Sequence, residues 1–154
     1  MADLTAGDLA PAIDSMDQEG KRITLKEYKG KKVVLYFYPK DNTPGCTAES
    51  CDLRDHYDQF QDQGFEVIGV SADSEKSHQN FIAKHNLPFR LISDTKKEVL
   101  QDYGVWGEKK LYGKTYMGIN RKTFLIDEEG IIIKIIEKVK TKEHSRQIFT
   151  ELSH

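Results

Sequence analysis

Apolar residues in this chain fall into short runs separated by polar, Gly- and Pro-containing breaks. Val33 to Tyr38 (VVLYFY) is a β-branched and aromatic run of the kind that fills a buried strand, and Phe65 to Ser71 (FEVIGVS) is a second. Phe89 to Ile92 is a shorter one. Arg121 to Asp127 and Ile131 to Val139 flank Glu128-Glu129-Gly130, which reads as a hairpin. The near-continuous apolar stretch Ile131 to Ile136 predicts deep burial. Between these runs the period changes. Leu53, Tyr57 and Phe60 recur at helical spacing from Thr47 towards a stop at Gly64. Ser74 to Asn86 carries Phe81 and Ile82 on an otherwise polar helix. Thr95 to Tyr103, with Asp94 as its cap, and Lys142 to Leu152 complete the predicted helices. At the N-terminus, Met1 to Leu9 reads as an irregular arm. Pro11 to Asp17 and Lys21 to Leu25 form a modest hairpin around Gln18-Glu19-Gly20, followed by one helical turn, Leu25 to Tyr28. Val105 to Gly118 is the least regular stretch. This order predicts an α/β fold, a central sheet with helices on both faces. Without repeats, linkers or low-complexity tracts, residues 1–154 read as a single domain.

Composition narrows the function classes. Hydrophobic residues make up 38% and charged residues 31% of the 154, with a formal net charge of −2, so no nucleic-acid or anionic-membrane partner is indicated. No apolar run approaches the roughly 18 residues of a membrane span, and MADLTAGDLA lacks the basic and apolar regions of a signal peptide. Two cysteines are too few for a disulfide scaffold; in a reducing cytoplasm such a pair fits catalysis or metal binding. The five histidines, at positions 56, 78, 85, 144 and 154, form no zinc-like spacing with them, and a surface role is the expectation for most. No metal or other cofactor is expected. The four glycines between 104 and 118 make no dinucleotide fingerprint after a strand. Lys109, Lys110 and Lys114, beside Trp106 and Tyr112, form a small basic patch expected to be a solvated loop or a docking surface.

The chemistry concentrates in YPKDNTPGCTAESC. Pro39 ends the central strand, Lys40 to Gly45 is loop chemistry, and Cys46 falls at or just before the first turn of a helix. Unpaired N–H groups and the aligned peptide dipoles gather there, so an anionic thiolate is favoured and becomes a nucleophile. The same N–H groups can hold an oxygen-bearing substrate. Cys51 lies five residues on, about 140° around an ideal helix and roughly 7.5 Å along it. That is too far for a disulfide, so pairing of the two requires the first turns to unwind.

Pro39, Thr43 and Cys46 spell P-x-x-x-T-x-x-C, the peroxidatic motif of the peroxiredoxins. The wider run YFYPKDNTPGCTAESCDLRD, with YGVWGEKK and YGKTYMGINRKTFLID, resembles the bacterioferritin comigratory protein, or Q-type, subfamily over nearly the whole chain. The resemblance implies a thioredoxin-like fold, with a central mixed β-sheet flanked by helices and an N-terminal β-hairpin. It also implies a cofactor-free thiol peroxidase. Cys46 resembles the attacking thiolate and Cys51 the resolving thiol that closes an intramolecular disulfide. Thr43 resembles the hydroxyl that bonds thiolate and peroxide, and Pro39 the residue that shields the pocket. Arg121 matches the arginine that favours the thiolate and orients the peroxide, and Glu49 the carboxylate that holds this arginine. Without the resemblance, Arg54 and Lys40 would be the nearer cations. The implied partners are a peroxide substrate and thioredoxin as reductant, with glutaredoxin as the alternative, acting on a monomer. A peroxide-sensing thiol switch and a holdase on the same scaffold are the competing readings.

Overall fold

The computed structural model describes residues 3–153. Met1 and Ala2 of the arm, and His154, lie outside them. In chain order the strands are β1 (Asp14–Met16), β2 (Arg22–Thr24), β3 (Lys32–Phe37), β4 (Phe65–Ser71), β5 (Arg90–Ser93), β6 (Trp106–Leu111), β7 (Lys114–Ile119), β8 (Lys122–Ile126) and β9 (Ile132–Ile136). The α-helices are α1 (Pro44–Asp55), α2 (Tyr57–Asp62), α3 (Glu75–His85), α4 (Glu98–Asp102) and α5 (His144–Leu152).

β3 is the middle of a five-stranded mixed sheet in the order β5-β4-β3-β8-β9. It runs parallel to β4 and antiparallel to β8, and β4 pairs in parallel with β5. The period of two in a strand sends alternate side chains to opposite faces, and β3 supplies both cores. Val33, Leu35 and Phe37 join Ile68, Ile92, Leu100, Tyr103 and Phe124 on one face. Val34 and Tyr36 join Phe60, Val67, Phe81, Leu125 and Ile148 on the other, with Tyr38 and Cys46. Thus α1, α2, α3 and α5 cover the second face, while α4 and the β1–β2 hairpin close the first. The thioredoxin-like arrangement expected from the sequence is the one found. No helix among the described residues is long and apolar enough to cross a membrane.

Four local expectations change. The single helix expected from Thr47 to Gly64 is two, because His56 leaves helical geometry at φ −113°, ψ 13°. Its ring Nδ1 lies 2.8 Å from the Asp52 carbonyl, while its own N–H turns to Leu53 at 3.3 Å. The fourth helix keeps only its last turns, with the Asp94 carboxylate accepting from the Leu100 N–H at 2.8 Å. Val105 to Gly118 contains a regular ribbon, β6 paired with β7 around Tyr112-Gly113, both at positive φ. Finally, β9 is an edge strand: Ile132 and Ile136 are buried, but Ile133 and Ile135 only half so.

Gly69 shows how tightly the second face is filled. It sits beside Tyr36 and Leu91 in the ladders, and a Cβ there would lie 2.7 Å from Leu91 Cδ2 and 2.8 Å from Tyr36 Cζ. Both neighbours are fully buried, so neither has room to withdraw. Gly69→Ala is expected to cost about 1–3 kcal/mol of stability through overpacking, measured as a lowered denaturant midpoint at unchanged slope.

Candidate active site

Pro39 and the loop to Asn42 leave the C-terminal end of β3, the edge at which open α/β sheets carry their sites. Thr43 caps the helix in extended geometry, Pro44 takes the first helical position and Cys46 the third. Proline is suited to that first position because its missing N–H has no partner to lose there. The Thr47 N–H makes the first bond, 2.8 Å to the Thr43 carbonyl, so the N–H groups of Gly45 and Cys46 lie ahead of the ladder. Cys46 is therefore within the first turn, as its sequence predicts, and it is fully buried.

The partner of the sulfur comes from the other side of the sheet centre. Because β8 is antiparallel to β3, with Lys122 opposite Phe37, the residue just before β8 lies where β3 ends. That residue is Arg121. Its Nη2 donates to Cys46 Sγ at 3.2 Å, and its Nη1 to Glu49 Oε1 at 2.5 Å. Glu49, one helical turn after Cys46, has no exposed surface. Gly45 makes this approach possible, since a Cβ on it would lie 3.3 Å from Arg121 Nη2. Burial raises the Glu49 carboxyl to about 7 against the attraction of Arg121. Burial also works against the Arg121 charge, but Glu49 and Cys46 outweigh it and hold the guanidinium more firmly protonated than usual. Of the nearer cations, Arg54 is engaged elsewhere: it bonds the His85 carbonyl at 2.7 Å and pairs with Asp55.

The remaining predicted residues are placed less directly. The Thr43 hydroxyl donates to the Lys40 carbonyl at 2.7 Å, so its proton is turned into the loop and its lone pairs are what it offers a ligand. Pro39 is half-buried beside the fully buried Tyr38. Cys51 is half-buried two turns along α1, and both cysteines are free thiols. Ser50, between them, is tied to Tyr36 by a 2.9 Å hydroxyl contact.

A buried thiol at a helix start, with a guanidinium on its sulfur and free backbone donors beside it, is equipped to attack an electrophilic oxygen. The AhpC/TSA family pattern matches residues 6–135. The chain belongs to that family. It is similar to the peroxiredoxin Bcp of Bacillus subtilis (strain 168), 50% identical over 138 residues that cover 90% of this chain and 88% of that protein. Among solved structures, a mutant of Xylella fastidiosa PrxQ superposes with a TM-score of 0.91 at 34% identity, covering 99% of this chain and 98% of that one. The Xanthomonas campestris bacterioferritin comigratory protein, solved in work on its alkyl peroxide reduction activity, gives 0.85 at 38% identity over 92% and 89%. This peroxiredoxin is a thiol-dependent peroxidase, acting on peroxides with a thiol reductant.

Three residues of the site neighbourhood escaped sequence reading. His144, the first residue of α5, is fully buried; its Nε2 lies 2.7 Å from Thr123 Oγ1 and its Nδ1 3.0 Å from Gln147 Oε1. The same Nε2 is 3.5 Å from Glu49 Oε2. No spacing in the sequence links positions 49, 123, 144 and 147. A surface role for His78 and His144 is corrected here, because both are fully buried and hydrogen-bonded, His78 to Asp41. Asp41, Asp73 and His78 bring ligand atoms within 4.8 Å of one another. Protein donors and acceptors engage all three, including both nitrogens of His78, so the set is a strap rather than a metal nest.

Proposed function

We propose that residues 1–154 act as one monomeric, cytoplasmic peroxidase domain that reduces hydrogen peroxide and organic hydroperoxides through Cys46 and Cys51, with thioredoxin as its reductant. The observation that carries this reading is the Arg121 Nη2 contact to Cys46 Sγ at a helix N-terminus. The Cys46 thiolate attacks the terminal oxygen of ROOH; the S–O bond forms as the O–O bond breaks, and RO⁻ leaves and takes up a proton as water or an alcohol. Arg121 and the Gly45 and Cys46 N–H groups hold the two oxygens as negative charge moves along the breaking bond. Thr43 Oγ1, its own proton committed to Lys40, accepts the hydroperoxide O–H. Pro39 keeps water from the sulfur, and Glu49 aims the guanidinium. Alkyl hydroperoxides suit such a site, as the activity of the Xanthomonas relative illustrates.

The product is a sulfenic acid on a fully buried residue, out of reach of Cys51 while α1 is intact. Local unwinding brings the two together, and condensation of S–OH with the Cys51 thiol gives a disulfide and water. A dithiol then takes over the disulfide by exchange. Both reacting sulfurs lie in one helix, so no second subunit is required. Free thiols fit a reducing compartment.

Mass spectrometry after one equivalent of peroxide tests the scheme. The intact chain is expected to lose two hydrogens and the Cys51→Ser chain to gain one oxygen. Hydrogen exchange through Thr47 to Leu53 is expected to quicken in the disulfide form. Sustained consumption with thioredoxin and its reductase is expected only with both cysteines. A wild-type chain that gains oxygen without losing hydrogens would overturn the role of Cys51.

A further inference from the structure

Glu49 Oε2 is fully buried and has no hydrogen-bond partner among the described residues, although a histidine nitrogen stands 3.5 Å away. The bonds around His144 explain why. Gln147 is fixed at both ends, its Oε1 accepting the Lys140 N–H at 3.0 Å and its Nε2 donating to the Lys138 carbonyl at 2.8 Å. Its Oε1 therefore faces His144 Nδ1 as an acceptor, and Nδ1 must carry the ring proton. In the neutral ring Nε2 is then a lone pair, and the Thr123 hydroxyl donates to it. His144 thus turns an acceptor, not a donor, towards the orphaned oxygen of Glu49. A buried carboxylate oxygen that faces an acceptor and no donor is costly as an anion, which favours a proton on Glu49.

We propose that His144, locked by Gln147 and Thr123, is a positioning residue for the peroxidase reaction: it makes Glu49 hold a proton and so governs how much of the Arg121 charge is left for Cys46. This rests on Cys46 and Arg121 being the reacting pair. Burial lowers His144 to about 4 and raises Glu49 to about 7, so the shared proton resides on the carboxyl. Below neutrality Glu49 is a neutral acceptor for Arg121 Nη1 and the guanidinium charge faces the sulfur undiminished. Above it, Glu49 ionises and takes part of that charge. The other groups facing the pair leave this order intact. Asp52 on α1 favours protonation of both Glu49 and His144, Arg121 opposes it on both, and Tyr36 on β3 stays neutral through burial.

The test reads the proton directly. In a Cys51→Ser background, the infrared C=O stretch of a buried carboxylic acid is expected below neutral pH, fading with a midpoint near 7 and absent in Glu49→Gln. His144→Gln presents a carboxamide N–H to Oε2 and is expected to move that midpoint down by about one unit or more. Thr123→Val leaves the Nε2 lone pair to Glu49 alone and is expected to move it up. Alkylation of Cys46 just below neutrality is expected to slow several-fold in His144→Gln, and this effect vanishes when Glu49→Gln is already present. A purely structural histidine predicts no opposed shifts. A wild-type chain without the band, or two variants that move the midpoint the same way or not at all, would overturn the inference. Thr123→Val, nearly isosteric, decides alone if His144→Gln does not fold. The band is seen without turnover, so an inactive chain that keeps it would refute the peroxidase scheme and not the proton that His144 places on Glu49.

Discussion

Arg121→Lys is expected to lower peroxide turnover by about a hundredfold or more, the loss typical of one oxyanion-type donor, while Cys46→Ser abolishes it. Lysine keeps the charge, so the size of the effect measures geometry. The guanidinium spans two fixed partners, Sγ at 3.2 Å and Glu49 Oε1 at 2.5 Å, and does so with a rigid fork. A single ammonium on a flexible stem cannot hold both and leave a donor for peroxide. Removing the arginine outright would also strand Glu49, which is fully buried, although its carboxyl, freed from the pull of Arg121, escapes part of that penalty by holding its proton more firmly. Serine at position 46 keeps the shape of the turn but not the sulfur nucleophile. The measurement is kcat/KM for a hydroperoxide under thiol-coupled turnover, with circular dichroism to verify the fold. A threefold loss or less in Arg121→Lys would remove the fork from the mechanism.

The parts of this protein that could be read from sequence are those whose pattern is enforced by burial. β3 and β4 are almost wholly buried, and their apolar runs announce them. The cysteine helix announces itself through the helical spacing of Leu53, Tyr57 and Phe60, whereas Pro44 and Gly45, which read as loop, are its first two residues. The β6–β7 ribbon is regular but stands in water: Leu111, Tyr112, Tyr116 and Met117 are exposed and only Ile119 is buried. With no buried face there is no period of two to read. The break at His56 depends on a ring–carbonyl contact that no periodicity encodes. The site divides in the same way. Cys46 is legible from its place at a helix start, whereas Glu49, one helical turn on, is singled out only by the family resemblance. Arg121 reaches them through antiparallel register, so only the family resemblance singled it out. His144 is invisible for a further reason. A lone histidine at a helix start looks solvated until β8 and α5 close over it.

Asp41→Ala is expected to destabilise the chain by about 3–5 kcal/mol, the cost of breaking a buried, hydrogen-bonded pair from one side. His78 Nε2 lies 3.0 Å from the Ile92 carbonyl, which can only accept, so that nitrogen bears a hydrogen. Its Nδ1 is 2.7 Å from Asp41 Oδ2, and a proton must lie between them as well. Asp41 also accepts the Tyr38 hydroxyl at 2.6 Å and the Ser77 hydroxyl at 2.9 Å, while its N–H donates to Asp73 at 2.9 Å. One carboxylate thus fastens the loop before Cys46 to Tyr38, just past the end of β3, and to α3, with His78 carrying the link on to β5. Alanine leaves the ring and two hydroxyls without their acceptor. Asparagine is a sharper probe. Its oxygen can serve Tyr38 while its amide donates to a neutral Nδ1 and to Ser77, so its cost should stay near 1 kcal/mol. Denaturant unfolding of the two variants measures the difference. The loop that carries Pro39 and Thr43 hangs from this strap, so Asp41→Ala should also slow peroxide turnover at temperatures where the fold persists. Equal small losses for alanine and asparagine would show that the loop is held by its own turn and not by the pair.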